Sequence, residues 1–156
     1  MGMSLMSVSF MHGRDIPVRH TCDGENISPR LMWDALPAGT KSLVLIVDDP
    51  DSPDPSAPET TCVHWVLYNI PSSATCLLEG IDASDLPVGT LQGKNDWQNL
   101  GYEGPCPEIG KHRYFFKLYA LDDKLPNLKS PNKETLEEAM EGHVLGKCSL
   151  LGLYER

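Results

Sequence analysis

The 156-residue sequence is short of basic residues: 13 Lys and Arg face 22 Asp and Glu, for a formal charge of -9. Such a field repels nucleic acid and anionic membranes, and no Lys/Arg run offsets it, so no nucleic-acid partner is expected. No apolar stretch reaches the roughly 20 residues that a bilayer-spanning helix needs. At the N-terminus Arg14 and Asp15 interrupt any basic-then-apolar run, so no signal peptide is expected. Met6 stands where a myristoylation motif requires Ser or Thr, which argues against stable membrane anchoring. The chain also has no C-x-x-C pair. Its cysteines (Cys22, Cys62, Cys76, Cys106 and Cys148) are scattered and odd in number. That spacing fits neither a zinc cluster nor a secreted disulfide framework, and it predicts reduced thiols in a cytoplasmic protein. No G-x-S-x-G elbow and no H-E-x-x-H helix occurs.

What the chain does have is turn chemistry. Thirteen Gly and thirteen Pro exceed what a helical bundle would carry. The length fits a single domain, residues 1–156, with enough chain to bury a core. Ser7–Phe10 alternates and reads as a first strand. His20–Pro29 reads as a polar loop with an Asp23-Gly24 turn. Ser42–Val47 is a β-branched run ending at Asp48-Asp49, a buried strand; Val63–Ile70 is the next, closed by Pro71. Residues 72–103 read mainly as loop. Arg113–Leu121 is the clearest strand, and Ser149–Tyr154 closes the chain.

One helix is predicted near the end. Ser130 or Asn132 caps it, Pro131 suits its first turn, and Glu134, Glu137 and Glu138 complement its positive end. Leu136, Ala139, Met140 and Val144 fall at helical spacing, with Gly146 as a stop. Many short strands with turn-rich connections and one or two short helices make the fold class mainly β, an antiparallel β-sandwich.

The chemistry collects at strand ends. Strand alternation places His112, Tyr114, Phe116 and Leu118 on one face and Arg113, Phe115 and Lys117 on the other. By the same rule His64 shares a face with Val66 and Tyr68, while Trp65 faces the opposite layer. Asp49 ends a neighbouring run. A carboxylate can hold one imidazole nitrogen and leave the other to donate to an anion. Tyr114 would add a second donor and the Gly104 loop a backbone N–H. Singly, each residue has an ordinary explanation as a satisfied partner or a turn; their joint placement is what points to a pocket. His12 and His20 receive no role, and His143 is expected to support the helix C-terminus.

Taken together, Asp49-Pro50-Asp51-Ser52-Pro53, His64-Trp65, and Gly104-Pro105 through His112-Arg113-Tyr114 resemble the phosphatidylethanolamine-binding protein family. Cys22-Asp23-Gly24-Glu25-Asn26, Ser28-Pro29, Trp33, Asn69-Ile70-Pro71, Tyr119-Ala120-Leu121-Asp122 and Ala139-Met140-Glu141-Gly142-His143 extend the likeness over nearly the whole chain, in the manner of the bacterial and archaeal branch. The sequence ends after its last expected strand, so by this resemblance the C-terminal helix of many animal members is expected to be missing. The resemblance implies a non-catalytic module whose small polar pocket binds phosphate-like anions or phospholipid headgroups. Asp49, His64, Gly104, His112 and Tyr114 would form that pocket, and Pro50, Pro53 and Pro105 would shape its walls. It implies no cofactor and no metal, and it is compatible with a kinase or protease partner and with a homodimer. The alternative is a metal-dependent or His/Asp-based hydrolase built on Asp49, His64 and His112. Two departures stand out. Glu108 replaces an expected second proline after Pro107, and residues 54–62 form a longer loop that lacks an aromatic residue before His64.

Overall fold

A computed structural model describes residues 2–156. In chain order the elements are β1 (Ser4–Met6), β2 (Arg14–Asp15), β3 (Leu31–Asp34), β4 (Ser42–Ser52), β5 (Thr60–Pro71), β6 (Cys76–Leu77), β7 (Leu91–Gln92), β8 (His112–Leu121), α1 (Lys133–Met140) and β9 (Val144–Tyr154). Single 3-10 turns lie at Val18–His20 and Ala83–Asp85. Two sheets form the sandwich: a three-stranded one in the order β1-β3-β6, and a six-stranded one in the order β2-β9-β8-β4-β5-β7. All pairings are antiparallel except β2 with β9.

The long central strands are apolar on both sides, and both sides are used. Leu43, Leu45, Val47, Trp65, Leu67, Phe116 and Leu118 pack between the sheets against Leu5, Leu31 and Trp33. Val44, Ile46, Val66, Tyr68 and Leu121 form the outer face, which Leu136 and Met140 of α1 cover. Burying both faces explains why β4 reads as a continuous apolar run rather than an alternating one. Each fully buried Leu, Ile or Val is worth roughly 1.5–3 kcal/mol of transfer free energy. Buried Asp48 fastens the helix to the sheet through Lys133 at 2.8 Å and Lys117 at 3.0 Å.

Several boundaries differ from the sequence reading. The first strand is Ser4–Met6 rather than Ser7–Phe10, and Phe10 is buried in the core from a loop. β4 runs on to Ser52, past Pro50. Its pairing with β8 ends at Asp48, and its register with β5 shifts between Asp49 and Ser52, so the missing Pro50 N–H breaks no regular ladder. Asn132 is the N-cap of α1, accepting from Thr135 N at 2.8 Å. The helix stops at Met140, before the expected Gly146, and Gly142 follows at φ +80. Val144 therefore opens the last strand instead of closing the helix. His143 donates its backbone N–H to Met140 O, while its ring is 2.8 Å from Asp122 Oδ1.

The cysteine expectation is overturned. Cys22 and Cys106 form a disulfide across 84 residues, with Cα atoms 5.4 Å apart; Cys62, Cys76 and Cys148 are free. Spacing along the chain could not reveal this pair, because the fold brings two distant loops together. A bond closing so long a loop typically contributes about 2–4 kcal/mol by restricting the unfolded chain.

Candidate functional site

A cavity of about 190 Å³ opens at the end of the sandwich where β4, β5 and β8 meet the 104–110 loop. It is lined by Asp49, Ser52, Pro53, Cys62, His64, Trp97, Cys106, Pro107, Glu108, His112 and Tyr114. This lies below the roughly 300 Å³ at which drug-sized pockets begin, and leaves room for a small occupant only. Asp49, Pro53, His64, His112 and Tyr114 of the eight expected residues line it. Pro50, Gly104 and Pro105 do not.

β8 delivers His112 and Tyr114 inward and Arg113 outward, as alternation requires. Arg113 turns from the cavity to bind Asp51 through Nε at 3.0 Å and Nη2 at 2.9 Å, and its backbone N–H donates to the same carboxylate at 2.9 Å. These bonds to the guanidinium and backbone hold the Asp51 carboxyl below its ordinary range.

His64 arrives differently. Val47 pairs with Trp65, but Asp48 pairs with Val63, so His64 is the extra residue of a β-bulge. The bulge resets alternation: Val63 and Val66 face outward, while Trp65 packs between the sheets. His64 stacks its ring edge-on near Tyr114, at 5.4 Å, on that same inner side. Its expected companionship with Val66 and Tyr68 is thereby corrected.

The two imidazoles carry opposite roles. His112 Nε2 lies 2.8 Å from Ile109 O, and a carbonyl only accepts, so Nε2 carries a proton. His112 Nδ1 lies 2.6 Å from Asp49 Oδ2, and Asp49 Oδ1 accepts from Asp51 N at 2.7 Å. Burial pulls the His112 pKa down, but the hydrogen bond and charge of Asp49 outweigh it, and the net shift is upward. Neither nitrogen is left for a ligand, which corrects the expectation that His112 would donate to an anion. His64 donates Nδ1–H to Glu103 O at 2.6 Å, and Nε2 has no partner. Burial lowers its pKa, so the ring is neutral and Nε2 offers a lone pair.

Burial and the nearby Asp49 carboxylate raise the Tyr114 phenol, which stays a donor. The Cys62 thiol is pushed up to about 12 by burial and by Asp96 and Asp49. The Gly104 N–H, expected to serve an anion, donates instead to Asn26 Oδ1 at 2.9 Å. A Cβ there would run into His20 O and Asn26 Oδ1, so glycine is required by close packing. His20, without a role in the sequence reading, is fully buried and bonds Ile27 O at 2.9 Å, holding this buttress together.

Trp97, Cys62 and Cys106 join the cavity without any signal in the sequence that marks them as lining residues. Trp97 sits 5.2 Å from the His64 ring and comes from the 72–103 segment, supplying an aromatic wall that the residues just before His64 lack. One tryptophan in a polar stretch without periodicity is a weak signal. Among the described residues no cluster of three His, Cys, Asp or Glu side chains has a metal-holding arrangement. Asp49 and His112 spend their atoms on each other and on neighbouring backbone groups, which dissolves the three-ligand set of Asp49, His64 and His112. The Ser52–Pro53 peptide bond is cis.

The comparisons with known proteins agree with this fold. The family model described as phosphatidylethanolamine-binding protein matches residues 6–155. A UPF0098 protein of Methanothermobacter thermautotrophicus is 54% identical over 155 residues, covering 99% of each chain. The solved structure of a phosphatidylethanolamine-binding protein homologue from Chlamydia trachomatis is similar at 41% identity and a TM-score of 0.90, covering 99% of this chain and 98% of that one. YbcL of E. coli, described as a new member of the mammalian family, is 28% identical with a TM-score of 0.89, covering 100% and 99%.

Proposed function

The chain belongs to the phosphatidylethanolamine-binding protein family, and on that premise we propose that its cavity is a non-catalytic site for a small phosphate-like group, free or as a headgroup, taken up in its monoanionic form. The observation that carries this reading is the unpartnered Nε2 of His64, a neutral acceptor in a cavity-lining ring. A monoprotonated phosphate has what this atom needs: a P–OH to donate, with the remaining oxygens free to accept from the Tyr114 hydroxyl. A fully ionised phosphate has no such proton. It would also meet Asp49 and Glu108 in a cavity whose one basic partner, His112, is already neutralised by Asp49.

A binding role suits the chemistry of the side chains. Cys62, whose thiol is held protonated, is a poor nucleophile, and His64 has no hydroxyl or thiol bonded to Nε2 to activate. Titrating inorganic phosphate and phosphoethanolamine at constant ionic strength, with the imidazole 15N signals as reporters, tests the reading. His64 Nε2 should shift first, and binding should strengthen as the pH falls through the second ionisation of the phosphate, about 6 for an ester. His64→Ala should abolish the shift at Tyr114. Silent imidazoles at millimolar ligand would sink the proposal.

A further inference from the structure

The disulfide and the cavity meet at Cys106. Both Cys22 and Cys106 are exposed, and Cys106, Pro107 and Glu108 together form one side of the cavity. The chain on the two sides of Cys106 is fastened very unequally. Upstream, Tyr102 Oη donates to His20 O at 2.7 Å, Asn26 Nδ2 to Glu103 Oε2 at 3.2 Å, Gly104 N to Asn26 Oδ1 at 2.9 Å, and Cys22 N to Pro105 O at 3.1 Å. Glu103 is tied to β5 as well, through His64, by N–H to O at 3.0 Å and by its own carbonyl to the ring. Downstream this support ends. Between Cys106 and Gly110 the one hydrogen bond among the described residues is Ile109 O accepting from His112 Nε2. Pro107 has no N–H to contribute. The cavity wall is therefore held by a disulfide at one end and by an imidazole at the other.

We propose that Cys22–Cys106 is a redox-operated latch on the cavity, opened by a dithiol reductant that frees the 106–110 wall and lowers affinity for the occupant. The loss of affinity rests on the phosphate reading above; the loosening of the wall does not. In the reaction, a thiolate of the dithiol attacks one sulfur of the pair, forming a mixed disulfide and releasing the other cysteine as a thiolate that takes up a proton. The second thiol of the reductant then resolves the mixed disulfide. The products are two cysteine thiols and an oxidised dithiol, with two electrons transferred. The exposed position of both cysteines gives the reductant access. Cys62 lines the same cavity, but its thiol is pushed up to about 12 by burial and stays protonated at neutral pH, so an external reductant is required.

Three measurements on the full chain decide the matter. Thiol counting in denaturant should find three free thiols without reductant, the three unpaired cysteines, and all five after dithiothreitol. Five from the start would mean that the bond is absent and the latch with it. Native hydrogen exchange should quicken on reduction by about tenfold or more at residues 106–111, with β4, β5 and β8 unchanged. Faster exchange throughout the sandwich would make the bond a global staple and overturn the latch. Inorganic phosphate should bind about tenfold more weakly to the reduced protein, because an ordered wall no longer comes preformed. The double variant Cys22→Ser, Cys106→Ser should behave as the reduced protein whether or not reductant is present; if it does not fold, native reduction of the unaltered chain carries the test. Phosphate binding that ignores reduction, with exchange also unchanged, overturns the latch and leaves the site reading standing. Failure of the oxidised protein to bind phosphate overturns the site reading instead, and exchange at 106–111 then decides the latch.

Discussion

His64 and His112 face one cavity from neighbouring parts of one sheet, yet their surroundings push their pKa values in opposite directions. Each gives one N–H to a backbone carbonyl, Glu103 O for His64 and Ile109 O for His112. The second nitrogen makes the difference. On His112 it meets a buried carboxylate, Asp49, and the pair holds a proton. On His64 it is buried without a hydrogen-bond partner, and burial lowers the ring's pKa. A histidine at a strand end therefore does not announce whether it will bind a ligand. The same residue type serves as the fixed brace of the site in one wall and as its unpartnered acceptor in the other.

The largest effect is expected from removing the carboxylate that distinguishes the two. Asp49→Ala strands His112 Nδ1 and the Asp51 N–H in a buried setting, and should cost about 3–5 kcal/mol in denaturant unfolding. The 15N titration of His112 should then fall toward or below that of His64. If His112 keeps its raised pKa in this variant, the contrast between the walls has another cause.

Next in size is the pH dependence. The folded His112 pKa is raised, so its contribution to stability is fully present below the ordinary value of 6.5 and is lost as the pH rises through the raised folded value. His64 has the reverse sign: its folded pKa is lowered, so stability is present above 6.5 and is lost as the pH falls through the folded value. A tenfold difference in proton affinity between the folded and unfolded chain corresponds to about 1.4 kcal/mol. Urea unfolding across this range, repeated on His64→Gln, should show a smaller acid-side decline, the remainder belonging to buried His20, whose pKa burial also lowers, while the alkaline slope is kept. An undiminished acid-side slope would detach that part of the decline from His64.

The smallest effect belongs to the outer wall. Trp97 is 45% exposed, so Trp97→Ala should lower stability by less than about 1 kcal/mol. It should nevertheless admit water to His64 and raise the imidazole pKa toward its ordinary value. An unchanged His64 titration would show that the tryptophan does not contribute to its desolvation.

Much of this arrangement is legible in the residues and some is not, and the division has physical causes. Alternation along β8 correctly sends His112 and Tyr114 inward and Arg113 away, because a strand paired regularly on both sides keeps its period of two. The same rule fails at His64, because a bulge is a property of two paired strands and one strand alone does not encode its position. Gly104 reads as a donor because nothing beside it in the sequence claims its amide. In the fold that amide is already bonded to Asn26, 78 residues away. Ser7–Phe10 alternates, yet the strand pairing in that region belongs to Ser4–Met6, opposite Met32, Trp33 and Asp34.

By itself the sequence determined a turn-rich, mainly β fold with a late α-helix capped at Ser130 or Asn132, polar residues gathered at the strand ends, and a likeness specific enough to name the family. These follow from local period, capping chemistry and motif order, which act over a few residues. Only the tertiary structure decided that Cys22 meets Cys106, that Trp97 covers His64, and that His64 rather than His112 keeps an unpartnered nitrogen. Those outcomes depend on which distant atoms come within bonding reach. A carbonyl, a carboxylate or a second sulfur supplied from dozens of residues away leaves no mark on the spacing of the residue it meets.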